Sequence, residues 1–457
     1  MQLPSQPAPC YTPADTRSRR GGRFTPVWFE MAALPIVVGL ILREPAVFAL
    51  AASILTVIPV AWLWKHLSLR NVEYGRHLDR ERAFPGESVA MTVQITNRKL
   101  LPLSWLEVRD EIPLCLPLEE GALMPTHVPQ VGSLQQVLSL RWYERVSRSY
   151  LLACTERGGY DLGRVHLRSG DLFTLFEEHQ ERRGDDRLVV FPRVWPLSDF
   201  GLPPKDPFGQ RRAPRRLIED PLSTIGVRDH RPEDGMRRIH WKATAHKGEL
   251  QVRVYEPTAS LESVIFLNVS TLEHYWQGVL PALLEAAISV AASIAVWAVG
   301  ERHKVGLVTN GCLTQSDQPA RVPPGRSPEQ LTAILEMLAG VTSFATGSLE
   351  KVLRRESPRL PWGATLVVVT PIVTDGLEEM MLALRDAGRR LALVSLEKAP
   401  PPTLRHIVTY HLPPSLPVFQ HHGEGGAASR RALQASGLLG MESYRRVASA
   451  QIQHGRE

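Results

Sequence analysis

The sequence predicts a multi-domain α+β chain: an N-terminal transmembrane helical hairpin, a β-sandwich domain, then a doubly wound α/β domain. Three observations carry this prediction. Two apolar runs, residues 27–42 and 46–64, lie back to back near the start. From about 68 to 196 the chain reads as short strands with turn residues between them, as in a sandwich. From 263 to 396 apolar strands alternate with helices, as in a doubly wound sheet.

Residues 1–26 form a tail rich in Pro, Ser and Arg, read as disordered. Residues 27–66 hold the two expected spans. Each run is close to the ~17–25 residues that cross a bilayer, the first being the shorter. Arg43-Glu44-Pro45 is the tight link between them, and Trp28, Trp62 and Trp64 stand where interfacial aromatics belong. Basic residues precede the pair (Arg17, Arg19, Arg20, Arg23) and follow it (Lys65, Arg70). The positive-inside rule then puts both ends, and all the soluble domains, in the cytoplasm of a membrane-anchored protein.

Residues 67–200 make up the expected sandwich. Val89, Met91, Val93 and Ile95 alternate with polar neighbours, and 70–97 reads as a hairpin about Pro85-Gly86. Further strands are expected at 105–108, 138–142, 149–154, 165–167 and 188–192. Residues 201–225 read as a Pro- and Arg-rich linker, with Arg211, Arg212, Arg215 and Arg216 close together. No aromatic residues are interleaved for base stacking, so nucleic acid is not the expected partner.

Residues 226–256 are the densest stretch of charge. Pro232-Glu233-Asp234-Gly235 is a turn signal. Asp234 is the expected N-cap of a helix over 236–246, which Gly248 ends. Leu250, Val252 and Val254 then alternate as a strand. Arg228 and Arg237 are expected to pair with Asp229 or Asp234, and Trp241 to pack the stretch onto the sheet. Arginine forks hold carboxylates through two bonds, which suits a rigid joint.

In the α/β domain, 257–420, strands are expected at 263–269, 304–309, 364–370 and 390–396, and helices at 279–299, 327–341, 349–355 and 377–387. The helix at 279–299 is nearly long enough for a third span. Glu285, Ser289 and Ser293 interrupt it, and it lies between strands that must share one sheet, so it is expected to be a buried core helix. Residues 421–457 read as a flexible tail.

Composition narrows the function classes. The chain has 457 residues, 44% of them hydrophobic and 22% charged, enough to bury real cores. Its net charge of +6 suits a cytoplasmic face beside a membrane. Cys10, Cys115, Cys154 and Cys312 are scattered without CxxC spacing, which argues against a zinc site and for free thiols in a reducing compartment. There is no GxSxG elbow and no Walker loop.

The order R-D-x-x-P-x-D-x-x-R-x-I-H-W-K-A over 228–243, then Gly248-Glu249-Leu250, resembles the signature of the domain-of-unknown-function family 58. The stretch TERGGYDLGRVHLRSGDLFTLFE, followed by LVVFPRV, resembles the run that precedes that signature. It departs at Leu172-Phe173, where the family commonly has Pro-Phe-Gly. The resemblance covers about 70–398. It implies a von Willebrand factor A-like domain in the C-terminal half. It also implies partnership with a MoxR-type AAA+ ATPase, often alongside a transglutaminase-like membrane protein.

A-type domains hold a metal with a D-x-S-x-S loop after the first strand. Here Asn268 and Ser270 occupy that loop, with Asn in place of the Asp and Leu272 in place of the second Ser. A loop without a carboxylate binds a hard cation poorly, so neither a tight metal nor a cofactor is expected. The expected function is that of a membrane-anchored, non-enzymatic scaffold or adaptor, with no catalytic residues. Its interaction residues are Arg228, Asp229, Pro232, Asp234, Arg237, Arg238, His240, Trp241 and Lys242. The alternative is a hydrolase or phosphate-ligand enzyme working through Asp234, His240 and Arg237.

Overall fold

A computed structural model of the protein describes residues 45–420, apart from 173–174, 185, 204–206, 209–218, 232–233, 235, 237–238, 258–261, 274–277, 315 and 362, together with 429 and 431–433. The first apolar run, the basic tail and the arginine cluster of the linker lie outside these residues. Two compact units divide the chain, and the boundary falls at Arg193/Val194, earlier than the expected 200.

The first unit begins with helix α1 (Pro45–Ser68), which contains Pro59 and carries Lys65 and His66 in its last turn. The second apolar run is thus helical and extends a turn beyond Trp64. Of its side chains, those described are Ala46, Ala49, Ser53, Thr56 and residues 57–68. The strands that follow are β1 (Val72–Leu78), β2 (Arg82–Ala83), β3 (Glu87–Asn97), β4 (Leu103–Pro113), β5 (Met124–Pro125) and β6 (Val131–Leu140). After them come β7 (Arg145–Cys154), β8 (Gly158–Asp161), β9 (Arg164–Gly170), β10 (Glu177–Arg183) and β11 (Arg187–Val190).

They form a β1-β3-β7 sheet, a β10-β9-β4-β6-β5 sheet and a small β2-β11-β8 sheet. Val89, Met91, Val93 and Ile95 of β3 share one core with Leu106, Val108 and Ile112 of β4 and Val165 and Leu167 of β9. The inward faces are apolar because side chains alternate along a strand. A buried polar clamp ties the two larger sheets. Tyr74 Oη on β1 donates to Asp110 Oδ2 on β4 at 2.5 Å, and Arg76 Nη1 donates to Asp110 Oδ1 at 3.3 Å. Arg76 also donates to Asp186 Oδ2 (2.9 Å) and to the Leu162 carbonyl (3.0 Å). Burial raises the Asp110 carboxyl above its ordinary pKa, while the Tyr74 hydroxyl and the Arg76 guanidinium pull it down.

The hairpin at Pro85-Gly86 forms as expected, with β1 and β3 antiparallel from Val72–Asn97 to Leu78–Met91. The strands expected at 105–108 and 149–154 are longer than their apolar stretches, because register with neighbours extends them. That expected at 138–142 instead starts at Val131 and ends at Leu140. The strand β10, Glu-Glu-His-Gln-Glu-Arg-Arg, has no apolar pattern and was not expected. It is a sheet edge, where charged side chains face water and discourage further pairing.

In the second unit, β12 (Glu219–Asp229) and β13 (Gln251–Pro257) make an antiparallel ribbon around α2 (Trp241–Lys247). The last part of the expected linker, from 219, is therefore strand. The sheet contains β14 (Glu262–Leu267), β15 (Lys304–Leu313), β16 (Ser316–Gly325), β17 (Val341–Ala345), β18 (Thr365–Thr370), β19 (Arg390–Ser395) and β20 (Val408–His411). The helices between them are α3 (Pro281–Gly300), α4 (Gln330–Gly340), α5 (Leu349–Glu356) and α6 (Asp375–Asp386).

The strand order is β16-β15-β14-β18-β19-β20, with β17 beside β15. Strands β15, β14, β18, β19 and β20 are mutually parallel, and β16 and β17 run antiparallel to β15. Val264 and Phe266 of β14 and Leu366 and Val368 of β18 pack on α5 and α6. Helix α3 packs on β14, β15 and β18. It is long and apolar enough to cross a membrane, yet 72% of its most apolar window is buried within its unit. Ser293 on it accepts the Trp195 backbone N–H at 2.9 Å and donates to the Ser289 carbonyl, so its serines serve the core.

Strand β16 is not among the expected strands; it contains Pro319, Pro323 and Pro324, which an edge strand tolerates. The expected flexible tail is partly packed, since Ser429, Ala432 and Leu433 are buried and Ser429 Oγ accepts the Val194 N–H at 3.1 Å.

Candidate functional site

The charged stretch between β12 and β13 is built around one carboxylate. Arg228 grips Asp234 with both guanidinium nitrogens, Nη1 to Oδ2 at 2.7 Å and Nη2 to Oδ1 at 2.6 Å. The Arg231 backbone N–H donates to Asp234 Oδ2 at 2.8 Å. Asp234 is thus not a helix cap. It closes the turn back onto β12. The Arg228 guanidinium holds its carboxyl well below the ordinary carboxylate range, at about 2.

Asp229 belongs to a second, exposed cluster. Its Oδ1 accepts from Lys247 Nζ and from Gln251 Nε2, both at 2.6 Å. The Lys247 ammonium lowers the Asp229 pKa, and Asp229 in turn raises that of Lys247. Of the two pairings open to Arg228, the carboxylate of Asp234 is therefore the one used, while the Asp229 side chain turns to the end of α2. Arg228 Nη1 also donates to the Asp229 backbone carbonyl, at 3.0 Å.

Helix α2 covers Trp241–Lys247, not the expected 236–246. Ile239 instead bridges to Val252 on β13, and both are buried. His240 caps the helix, its Nδ1 accepting the Ala243 N–H at 3.0 Å, and its backbone N–H donates to the Gln251 carbonyl at 2.8 Å. Gly248 ends it at φ 77°, as expected of a left-handed cap.

Trp241 does not pack on the sheet. It is 65% exposed, and no residue of α2 is buried. Exposed Met236 lies just before it, and the exposed side chain of Lys242 follows. Pro232, Arg237 and Arg238 lie outside the described residues.

Chemically, this arrangement commits Asp234 to holding shape. Both Asp234 oxygens are engaged, and its pKa near 2 is far from a neutral operating pH. One nitrogen of His240 is committed to the helix cap. What remains outward is the Trp241 ring, with exposed Lys242 next to it in the chain. Because the Asp234 pKa is depressed, the clamp adds stability above the ordinary carboxylate pKa and loses it as pH falls through about 2. Hydrogen exchange at the Arg231 amide is expected to stay protected to near pH 2; loss of protection already at pH 4 would contradict the clamp.

A second polar centre lies at the carboxyl end of the parallel sheet. Asn268 Nδ2 donates to Thr370 Oγ1 at 3.0 Å, and Asn268 Oδ1 accepts from the Ser270 N–H (3.0 Å) and from Asn310 Nδ2 (2.9 Å). Asn310 Oδ1 accepts the Val269 N–H at 2.8 Å, and its Nδ2 also donates to the Gly347 carbonyl at 3.0 Å. Asn268, Asn310 and Thr370 are buried. The parallel strands run in spatial order β15-β14-β18-β19-β20, and this cluster sits where the order reverses, the usual ligand crevice of such sheets.

The structure brings Asn268 and Ser270 together with Asn310 and Thr370, two residues that sequence reading missed. Asn310 was legible only as the polar residue after Lys-Val-Gly-Leu-Val-Thr on the neighbouring strand. The cluster is neutral, and the amide groups of Asn268 and Asn310 are spent on bonds within it and to the Gly347 carbonyl.

Residues 226–401 match the model of a family described as "Protein of unknown function DUF58". The chain is similar to "Uncharacterized protein YeaD" of Bacillus subtilis (strain 168), 22% identical over 275 residues, which are 58% of this chain and 63% of that protein. The chain thus spans less than two thirds of that relative's length. These two matches support the resemblance drawn from the signature. Likenesses to solved structures are slight. The sporulation control protein Spo0M of Bacillus subtilis is 12% identical over 29% of this chain and 54% of its own, with a TM-score of 0.18. A beta-glucosidase from Listeria innocua is 15% identical over 24% of this chain and 16% of its own, with a TM-score of 0.15. Scores this low carry no argument about fold or activity.

Proposed function

We propose that this chain, whose residues 226–401 match the unknown-function family 58, is a membrane-anchored, non-enzymatic adaptor. Its partner is a MoxR-type AAA+ ATPase, alongside a transglutaminase-like membrane protein, and its two soluble units are cytoplasmic. The resemblance supplies these partners.

The observation that carries the reading is the exposed Trp241 on a stretch fixed by the Arg228–Asp234 fork. An exposed Trp next to a cation fits the composition of binding hot spots. The signature's carboxylates are engaged in holding shape, so the stretch fits docking better than turnover.

Helix α1 supports the anchor. Its 24 residues span about 36 Å at 1.5 Å each, against a hydrocarbon core of about 30 Å. The second unit is read as a degenerate von Willebrand factor A-like domain, in which the Asn268–Asn310–Thr370 cluster replaces a metal centre.

Trp241→Ala removes an exposed ring and is expected to leave stability within about 0.5 kcal/mol of wild type. Capture of the full-length protein in mild detergent, followed by mass spectrometry, is expected to recover the ATPase with wild type and to lose it with the variant. Recovery of the ATPase with both proteins would move the docking site elsewhere.

A further inference from the structure

At one end of the first unit, exposed apolar side chains gather on three separate loops. The end is defined by strand register. Helix α1 finishes there at Ser68, and β1 starts there, with Val72 opposite Asn97 at the close of β3. The β3–β4 connection, 98–102, and the β6–β7 turn, 141–144, lie there, since Leu103 pairs with Leu140 and Thr96 with Arg145. The β9–β10 hairpin tip joins them, since Ser169 pairs with Leu106 and Gly170 with Glu177.

These tips display Leu100 (75% exposed), Trp142 and Tyr143 (64% each) and Leu172 (60%), with exposed Leu175 beside them. Val60, Trp62 and Leu63 of α1 are exposed as well. Four loop or helix segments thus place large apolar groups in water at the end from which the apolar helix leaves. Exposed Arg70, Arg98, Arg141 and Arg145 surround them. Of the neighbouring carboxylates, Glu73 pairs with Arg98, Glu178 with Lys65 and Glu177 with Arg168, and Glu144 accepts the Arg141 backbone N–H at 2.6 Å.

The tips are held, not loose. Lys99 Nζ donates to the carbonyls of Leu67 (2.7 Å), Ser68 and Arg70 (2.9 Å) at the end of α1. Buried Asn97 Nδ2 donates to the Leu101 carbonyl (3.0 Å) and the Arg141 carbonyl (2.8 Å), joining two tips. Buried Asp171 accepts the Phe176 N–H at 2.7 Å, which closes the third tip and leaves Leu172 outward. Tyr143 sits at φ 52°, the left-handed region that favours glycine.

We infer that this end of the β unit rests in the interfacial zone of an anionic bilayer. Leu100, Trp142, Tyr143 and Leu172 dip among the headgroups, and the arginines meet lipid phosphate. Trp and Tyr favour that zone because one part of each ring system is apolar and one part polar. Basic residues beside a span are drawn to anionic lipid. The inference rests on the membrane-anchor reading, and it adds that α1 and the β unit meet the bilayer as one fixed body.

The test uses the full-length protein in vesicles of phosphatidylcholine and phosphatidylglycerol. The photocrosslinking residue p-benzoylphenylalanine is placed at 142, at 172, or at 120 on the opposite end of the unit. Lipid adducts are counted by mass spectrometry, and flotation with alkaline extraction is run on the same samples. Adducts several-fold more abundant at 142 and 172 than at 120 are expected. If the protein resists extraction but 142 and 172 give no more adduct than 120, or crosslink instead to residues 27–42 or to a second copy, the inference fails and the anchor stands. If the protein is extracted or does not float, the anchor reading fails with it.

Discussion

Arg76→Met is expected to destabilise the β unit by about 3–5 kcal/mol, because it leaves the Asp110 carboxylate buried without its cation. The side chains of Arg76 and Asp110 are both almost wholly buried, and the pair joins β1 to β4 across the two sheets. Tyr74 alone would remain as a donor to Asp110. Without Arg76, burial would push the Asp110 pKa higher still. A carboxyl raised in the fold favours folding below its unfolded pKa and loses that contribution as pH rises through the folded value. The variant's deficit should therefore shrink in acid and grow toward neutral pH. Adding Asp110→Asn should recover most of the loss at neutral pH, since both charges are then gone. Urea unfolding of the full-length protein in detergent, followed by hydrogen exchange in β3 and β4, measures this. A single variant as stable as wild type would show that the clamp does not hold the sheets.

Asn310→Ala is expected to cost the α/β unit about 2–4 kcal/mol, since each buried group left without a partner costs about 1–3 kcal/mol. The Val269 N–H loses its acceptor and the Gly347 carbonyl loses its side-chain donor. Asn268 loses one of the two donors to its Oδ1 and becomes freer to leave Thr370. The loss should appear as faster exchange after β14 and β18. An effect within about 0.5 kcal/mol, as at ordinary surface sites, would mean that water replaces the amide at no cost.

Much of this architecture could be read from pattern alone. Val-Ile-Phe-Leu at 264–267 and Leu-Val-Val-Val at 366–369 are continuous apolar runs, which only a sheet covered on both faces explains. Gly248 marked the end of α2 because few other residues accept φ 77°. What escaped were elements set by neighbours rather than by their own residues. Strand β10 is polar throughout and exists because β9 offers it a ladder.

The site was legible in its membership and less so in its wiring. Arg228, Asp234 and His240 were picked out together, yet spacing cannot say which carboxylate an arginine takes. The expectation that Trp241 packs the stretch onto the sheet fails, since the ring is 65% exposed. Its exposure follows from the short helix beginning only at that residue, with Ile239 already filling the contact to Val252. Asn310 lies 42 residues from Asn268 in the chain, and only parallel pairing of β14 with β15 brings them together.

The adaptor account is tested most directly by co-flotation. Full-length protein in vesicles is mixed with the purified MoxR-type ATPase of the same cell and ATP, and the vesicles are floated. The ATPase is expected to rise with vesicles bearing wild type and to stay behind with those bearing Trp241→Ala. An ATPase that stays behind with wild type, or that rises equally with both, would contradict docking through the signature.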